Sequence, residues 1–258
     1  MFAWLQNLIL PKHIPDALWQ STLAQYPFLK NRAANDLNRL HTLSAQFLTQ
    51  KQFSGAHDLV VTDAMAVAIA AQACLPVLNL GLSLYDDFRG IVVHPGAMLA
   101  RRSAVDAAGV HHSYKEALAG EAMQGGPVTL SWQDVAASPA HAERGYNVVI
   151  HEFAHKLDMR ASAGSPPNGC PPLPNRIARA QWQSTMQSAF ATFTEQVVMA
   201  QRFGAPLPWL DAYGATSPAE FFAVACEAYF VNPTQFANEF SAVSALFDAY
   251  FTKKNTLF

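Results

Sequence analysis

The sequence predicts an α+β fold that is mostly helical, with a small mixed β-sheet beside one central helix. The first observation is composition, because 51% of the 258 residues are hydrophobic and only 14% are charged, as in a well-packed globular protein. The second is the spacing of Leu37, Leu40, Leu43 and Phe47, which recur with the period of an amphipathic helix. The third is a set of short strand signals, rich in β-branched residues, between turn residues.

The predicted elements are helices first, then short strands, then helices again. Prolines, glycines and serines mark a long loop after the central helix. The stretch from Ala64 to Tyr85 is uncharged, but Pro76 and Gly81 interrupt it, so a buried helix and a strand are favoured over a membrane span. We expect several helices in 15–55, further helices at 62–74, 176–201, 218–230 and 240–252, strands at 76–80, 89–94 and 127–132, and the loop at 160–175.

The central helix carries a histidine pair with a glutamate between them. His151-Glu152-Phe-Ala-His155 reads H-E-x-x-H, and residues four apart share a helix face, so both imidazoles can bind one zinc ion. Glu152 points into the same pocket and can act as a general base on a water that the metal acidifies. The segment from Gly145 onwards is largely apolar, so we expect these polar side chains to be buried, where they are costly unless paired or metal-bound.

The third zinc ligand is expected from a second helix. The residues after His155 lack the glycine and histidine of the longer zinc motif, and a glutamate is the common alternative. Ser217 and Pro218 are typical of a helix start, which puts Glu220 in a capping position as one interpretation. The helix is otherwise strongly apolar, and Glu220 and Glu227 share a face of it. We favour Glu220 as the ligand and Glu227 as an acid that supports the ligands or the structure.

Asp158 is a further candidate for supporting a ligand. It lies seven residues after His151 and three after His155, on the same helical face. Ligating histidines usually donate their second N–H to a carboxylate or a carbonyl, which Asp158 can supply. Capping or pairing near the helix end is the alternative.

Several motifs together resemble the bacterial Mlc titration factor A (MtfA) family. The likeness extends over about residues 20 to 250, and its motifs are specific. They are His151–Met159, Asp211–Tyr213, Pro218–Val224, Glu227–Phe230, Ile91–Pro95 and Gly126–Trp132.

The resemblance implies a zinc-dependent peptidase with a zincin-like, gluzincin-type core, similar to the catalytic domain of anthrax lethal factor. It implies one zinc ion per chain, with ligands at His151, His155 and Glu220 and the base at Glu152. It also implies Tyr213 as an electrophilic helper near the metal. Because family members bind the glucose-responsive repressor Mlc, the resemblance implies an Mlc-like repressor as a partner beside the peptide or protein substrate.

Two further features bear on this chemistry. Tyr213 precedes the second ligand helix by a short loop, where its phenol can donate a hydrogen bond to an oxyanion. A tyrosine that only packs in the loop is an equally weighted alternative.

Peptidases of this class bind the substrate as an extended strand along a sheet edge. Val128–Trp132 is the expected edge strand, because it precedes the motif helix by about twenty residues; an ordinary core strand is the alternative.

Charge and cysteine content exclude other classes of function. The formal net charge is −2 and there is no stripe of lysine and arginine, which argues against direct binding to nucleic acid. Cys74, Cys170 and Cys226 fit neither a disulfide framework nor a Cys-x-x-Cys zinc site, and they suit a reducing cytoplasm.

We expect residues 1–258 to form one domain, in which an N-terminal helical extension at 1–60 packs on a catalytic core at 61–258.

Two hypotheses about function remain open. The first is a cytoplasmic zinc peptidase, and the residues do not distinguish aminopeptidase action from cleavage inside a chain. The second is a regulator-binding protein that titrates a repressor and whose metal centre is secondary or inactive. The presence of Glu152 favours the first, because a purely structural metal site needs no base.

Overall fold

The computed structural model describes residues 13–105, 111–162, 165–175 and 177–252, with the backbone alone at 99–105 and 111–118. In these ranges the chain has the predicted α+β fold, mostly helical with a small mixed sheet. The helices are α1 (Asp16–Gln25), α2 (Pro27–Lys30), α3 (Ala34–Gln50), α4 (Asp63–Cys74), α5 (Trp132–Ala137), α6 (Val148–Ala161), α7 (Arg179–Phe203), α8 (Pro218–Val231), α9 (Pro233–Glu239) and α10 (Ser241–Phe251). The strands are β1 (Gln52–Gly55), β2 (Gly90–His94), β3 (Met98–Val105), β4 (His111–Leu118), β5 (Gly120–Ala122) and β6 (Val128–Ser131).

The four-stranded sheet has the order β1-β2-β6-β5. The first three strands are parallel, with Ile91 of β2 opposite Phe53 on one side and Val128 on the other, and β5 pairs antiparallel with β6. The strands β3 and β4 form a separate antiparallel pair. Because β6 is an interior strand, the predicted edge strand at Val128–Trp132 is wrong. The strand at that end of the sheet is β5.

Two other local predictions are wrong. The predicted strand at 76–80 is a series of turns, in which the N–H groups of Val77, Leu78 and Leu80 each donate to the carbonyl three residues earlier. Their side chains are buried, so the apolar run packs in the core without pairing in a sheet. The predicted helical region 15–55 ends in a strand rather than a helix, since 52–55 form β1.

The remaining predicted helices and strands are confirmed within a few residues of their expected bounds. The helix α4 illustrates how a sequence signal sets a helix boundary. Thr62 caps it by accepting the N–H of Met65 at 3.3 Å. All its residues from Met65 to Cys74 are buried, as expected for an alanine-rich helix without charges beyond its first turn. In 165–175, no helix or strand is present among the described residues.

The helix α6 lies in the centre of the molecule, where it packs against α8 and α4. An aromatic cluster joins it to the N-terminal helices. The ring of Phe153 in α6 lies 5.7 Å from Phe47 of α3, 5.1 Å from Tyr85 and 5.9 Å from Phe88, measured between centroids. Because α3 also packs on α4, the N-terminal helices and the helix with the histidine pair share one hydrophobic core.

Other features bear on the chain's environment. No helix in the described ranges is both long enough and apolar enough to cross a membrane. The thiols of Cys74, Cys170 and Cys226 are buried and form no disulfides, and burial raises the pKa of each one.

The division into an extension at 1–60 and a core at 61–258 stays a prediction. The first twelve residues of the extension lie outside the described ranges.

Truncating Phe47 tests whether the extension and the core fold as one unit. Phe47 is fully buried in the aromatic cluster, so Phe47→Ala should lower the free energy of unfolding by about 3–5 kcal/mol. Chemical denaturation should still give one cooperative transition. The control Leu207→Ala removes a side chain that is 74% exposed and should change stability by less than about 0.5 kcal/mol. Two separate transitions, of which Phe47→Ala shifts only one, would contradict the single-domain prediction.

Candidate metal centre

The close approach of α6 and α8 depends on the residues just before α6. Gly145 has a φ of +71°, and a Cβ atom there would lie 3.0 Å from the Cα of Ala228 in α8. Asn147 then caps α6, with its side-chain oxygen accepting the N–H of Ile150 at 2.9 Å. The two helices therefore cross tightly, and their polar side chains meet in one largely buried space.

Three donor atoms from α6 and α8 converge in this space. The Nε2 atoms of His151 and His155 lie 3.2 Å apart, and each is 3.1 Å from Oε2 of Glu220. Ligand atoms about 2.0–2.1 Å from a tetrahedral zinc ion are about 3.3 Å apart, so this spacing fits such an ion. Among the described residues, no other group of three histidine, cysteine or carboxylate side chains has ligand spacing. The two helices thus bring together the three predicted ligands.

Glu220 was predicted to be either a capping residue or a metal ligand, and its backbone and side chain make different contacts. Ser217 caps α8 by accepting the backbone N–H of Glu220 at 3.2 Å, and Pro218 occupies the first turn, as the sequence predicts. The carboxylate itself is hydrogen-bonded to His151 and His155. Burial would raise the pKa of Glu220, but these two imidazoles outweigh it and hold the pKa well below its ordinary value.

Glu227 fixes the orientation of His151. One carboxylate oxygen lies 2.7 Å from Nδ1 of His151, and the other accepts the backbone N–H of Asn147. The side-chain amide of Asn147 also donates to Gln72 of α4 at 2.7 Å, so the polar network reaches a third helix. Burial would lower the pKa of His151, but Glu227 and Glu220 raise it well above its ordinary value. A bound metal ion would compete with that proton for Nε2.

Glu152 is buried between the histidine pair and the edge strand β5. A Cβ atom at Gly120 of β5 would lie 2.5 Å from Oε1 of Glu152, so only glycine leaves room for the carboxylate. Burial raises the pKa of Glu152 above its ordinary value, and the two histidines offset only part of this effect. The glycine was not recognisable from the sequence as part of the site, because its importance depends on a contact across 32 residues of chain.

A cavity of about 250 Å³ adjoins the donor atoms. It is lined by Gly120, Tyr146, His151, Glu152 and Tyr213, among others. Tyr213 lies in a short 3-10 helix before α8, is 41% exposed, and has its ring 6.1 Å from the ring of His151. The predicted electrophilic helper and the predicted base therefore line the same space. Tyr146, which the sequence analysis did not single out, lines it as well.

Comparison with known proteins places this centre in a family. A family model described as glucose-regulated metallo-peptidase M90 matches residues 2–252. The chain belongs to this family. The membership confirms the resemblance read from the sequence motifs and establishes a metallopeptidase-type protein.

Three relatives of this M90 chain carry the name Mlc titration factor A. The protein from Serratia proteamaculans is 34% identical over 251 residues, which are 97% of this chain and 92% of the relative. The protein from Salmonella arizonae is 35% identical over 228 residues, 88% of this chain and 87% of the relative. The protein from Yersinia pestis is 33% identical over 243 residues, 94% and 87% of the two chains.

Asp158 lies in α6 and makes the second of its two predicted kinds of contact, a pairing near the end of the helix. Its two oxygens accept the backbone N–H groups of Gly169 at 2.6 Å and Cys170 at 3.0 Å, not an imidazole N–H. A Cβ atom at Gly169 would lie 2.7 Å from the carbonyl oxygen of Pro218. Asp158 therefore holds the segment after α6 against the first turn of α8, the turn that carries Glu220.

Lys156 is a structural element of the centre that the sequence analysis missed. It is fully buried next to His155, and its Nζ atom donates to the carbonyls of Met123 at 2.6 Å and Gly126 at 2.7 Å. Nζ also lies 4.3 Å from the centroid of the Phe88 ring. Burial lowers the pKa of Lys156 to about 8. Because Met123 and Gly126 lie in the turn between β5 and β6, this side chain ties the edge strand to the histidine helix.

Replacing Glu227 tests the orientation of His151. Glu227→Gln keeps the size of the side chain but removes the charge that holds the imidazole, so the Kd for Zn²⁺ should rise by about 10–100-fold. Competition with a chromophoric chelator measures this Kd. Glu143→Gln removes an exposed carboxylate shortly before α6 and serves as the matched control. Equal zinc affinity in the two variants would remove Glu227 from the centre.

Proposed function

We propose that this chain is a zinc-dependent peptidase whose metal is held by His151, His155 and Glu220. The observation that carries the proposal is the meeting of three donor atoms within 3.1–3.2 Å of one another, with a buried carboxylate beside them. Two imidazole nitrogens and one carboxylate oxygen are a typical catalytic zinc set, which leaves the fourth position open. Membership in a metallopeptidase family supports the same assignment.

The bound zinc would acidify a water molecule and polarise the scissile carbonyl. Glu152 is proposed as the general base, since its carboxylate is buried beside the ligands without being one of them. It accepts the proton of the attacking water and passes it to the leaving amine. The contact with Gly120 limits where this carboxylate can lie, so the base is already near its working position.

The substrate chain is proposed to lie along β5. This strand ends the four-stranded sheet and passes directly over Glu152, so a peptide added to its edge would bring a scissile bond to the base. The predicted edge at Val128–Trp132 is not proposed again, because β6 lies between two other strands. Lys156 would hold β5 at a constant distance from the ligands through its bonds to the following turn.

Tyr213 is proposed to stabilise the oxyanion of the tetrahedral intermediate. Its exposed side chain lines the same cavity as His151 and Glu152, where its O–H can donate to a substrate oxygen. Asp211 fixes its backbone by accepting its N–H at 2.9 Å. Because the residue is 41% exposed, a substrate can reach the side chain.

Two isosteric substitutions separate the base from the ligand. Glu152→Gln should keep about one zinc per chain but lose hydrolysis, because an amide does not accept the proton. Glu220→Gln should lose zinc affinity, because it removes the charge of the ligand. Zinc content by metal analysis and cleavage of a mixed peptide library are the two measurements, and chelation should abolish cleavage in the wild type.

The outcomes distinguish the possible errors. A well-folded wild type without zinc affinity would defeat the proposal at its first step. Full zinc affinity in Glu220→Gln would mean that the wrong acid was assigned as the ligand. Matched peptides with free and acetylated N-termini separate the two modes of cleavage, because an aminopeptidase cleaves only the free one.

Repressor binding is the second candidate function, favoured by the name Mlc titration factor A that the relatives carry. We infer that a partner similar to Mlc binds this chain and that the two activities can coexist. The Glu152→Gln variant distinguishes them, since binding to Mlc in a pull-down assay should survive the loss of hydrolysis. If wild type binds zinc but cleaves no peptide, binding remains as the function.

Replacing Tyr213 by phenylalanine tests its role in the transition state. Tyr213→Phe should lower kcat by about 10²-fold or less, because the substitution removes a single hydrogen-bond donor to the oxyanion. KM and zinc content should change little, because that bond forms in the transition state. Steady-state kinetics on the best peptide of the library measure both constants. Tyr146→Phe is the matched control, because it removes a second hydroxyl from the same cavity. An unchanged kcat in Tyr213→Phe would leave the tyrosine with a packing role.

A further inference from the structure

A second cavity, of about 630 Å³, lies at the opposite end of α8 from Glu220. It is bounded by the chain before α3, the start of α3, the turns after α4 and the helices α8, α9 and α10. It shares no lining residue with the cavity at the metal centre. Ten residues of helix separate Glu220 from Phe230 in its wall, which corresponds to about 15 Å. Cavities of this volume are typical of sites for small molecules.

Arg32 lines this cavity without a direct ion pair, and the carboxylate of Asp36, which acts on its charge from a distance, is already paired with Arg39. Its Nε atom is buried and has no hydrogen-bond partner. Within the described ranges, no carboxylate lies within ion-pair distance of its guanidinium. The guanidinium lies over the ring of Phe230, whose centroid is 5.9 Å from the central carbon. A partly buried guanidinium with no anion in direct contact is costly, so an anionic ligand beside Arg32 would be favourable.

The other charged groups of the cavity already have partners. Arg39 donates to Asp36 at 3.2 Å, to the side-chain oxygen of Asn79 at 3.0 Å and to the carbonyl of Leu78 at 2.8 Å. Asp248 accepts the hydroxyl of Tyr229 at 2.7 Å. These bonds hold the wall together, and Arg32 is the exception among them.

We propose that this cavity binds a small organic anion whose carboxylate or phosphate group pairs with Arg32. A guanidinium presents a planar fork of N–H donors that matches both groups. The aromatic side chains in the wall, Phe28, Tyr229, Phe230 and Phe251, suit an apolar body on the same ligand. The site is separate from the metal centre, and its occupancy does not depend on hydrolytic activity.

Calorimetric titration of the full-length, metal-loaded protein tests the site. The probes are phenyl phosphate, phenylacetate and the neutral benzyl alcohol, which share an aromatic body and differ in charge. At least one of the two anions should bind with a Kd of about 1 mM or below, and the neutral probe should bind more weakly by about tenfold or more. Phosphate and carboxylate are distinguished by which anion binds. Failure of both anions to bind would overturn the proposal.

Variants then locate the bound anion. Arg32→Gln should raise the Kd of the anion by about 10-fold to 100-fold, the usual effect of losing a charge-assisted hydrogen bond. Arg202→Gln removes an exposed arginine at the end of α7 and should leave the Kd unchanged. An anion that binds at the zinc ion would bind both variants equally, and that result would also overturn the proposal.

A second variant and a stability measurement cover the case in which Arg32 cannot be changed without damage. Thr234 is exposed on α9 and lines the cavity, so Thr234→Trp should obstruct it and weaken every probe. Thermal unfolding without ligand should show that Arg32→Gln is as stable as the wild type or more stable, since an unpaired buried charge has been removed. Lower stability with unchanged anion binding would give Arg32 a structural role and reject the site.

Discussion

The contact between Glu227 and His151 is the interaction on which the metal centre depends. Burying a carboxylate and an imidazole between two apolar helices costs several kcal/mol per charge unless each is well paired. Glu227 meets this requirement through His151 on one oxygen and the backbone of Asn147 on the other. The same two bonds turn Nε2 of His151 towards His155 and Glu220. The same contacts therefore stabilise the buried acid and orient the metal ligand. They exist only because Gly145 lets α6 and α8 approach closely.

The ligand set could be predicted from the sequence because it depends on local geometry. A spacing of four in a helix puts His151 and His155 on one face whatever the rest of the fold is. Glu220 was found because acids are expensive in an apolar helix, and the structure brings its carboxylate to both imidazoles. Tyr213 rested on the family resemblance, since by physical reasoning a packed loop tyrosine was equally favoured.

The rest of the site depends on contacts that the sequence does not encode locally. The strand β5 has three residues, too few for an alternating pattern, and its position at the sheet edge follows from long-range pairing. The sequence left two interpretations open for Asp158, support of an imidazole or pairing near the helix end. In the structure its carboxylate accepts two backbone N–H groups, eleven and twelve residues later. The apolar run at 76–80 shows the related ambiguity, because a short buried segment has the same composition whether it pairs in a sheet or turns.

The charged side chains of the core and of the cavity walls include two contrasting kinds. Glu227, Asp158 and Lys156 are each held by two hydrogen bonds and serve to position neighbouring segments. Arg32 is held by none in the described part of the chain, although it lines a large cavity. The helix α8 connects both kinds, since its first turn carries Glu220 and its last turns form a wall of the Arg32 cavity.

The concentration of contacts in α6 has a consequence for how the gene can change. Its 14 residues include the two histidines, the adjacent carboxylate, the lysine that holds the edge strand and the aspartate that holds the following segment. One inserted or deleted residue would rotate everything beyond it by about 100° around the helix axis. All contacts beyond that point would be lost together, while the helix itself would still form. Length variation among functional descendants of this sequence should therefore be absent from α6, and it should be confined to loops that carry none of these contacts.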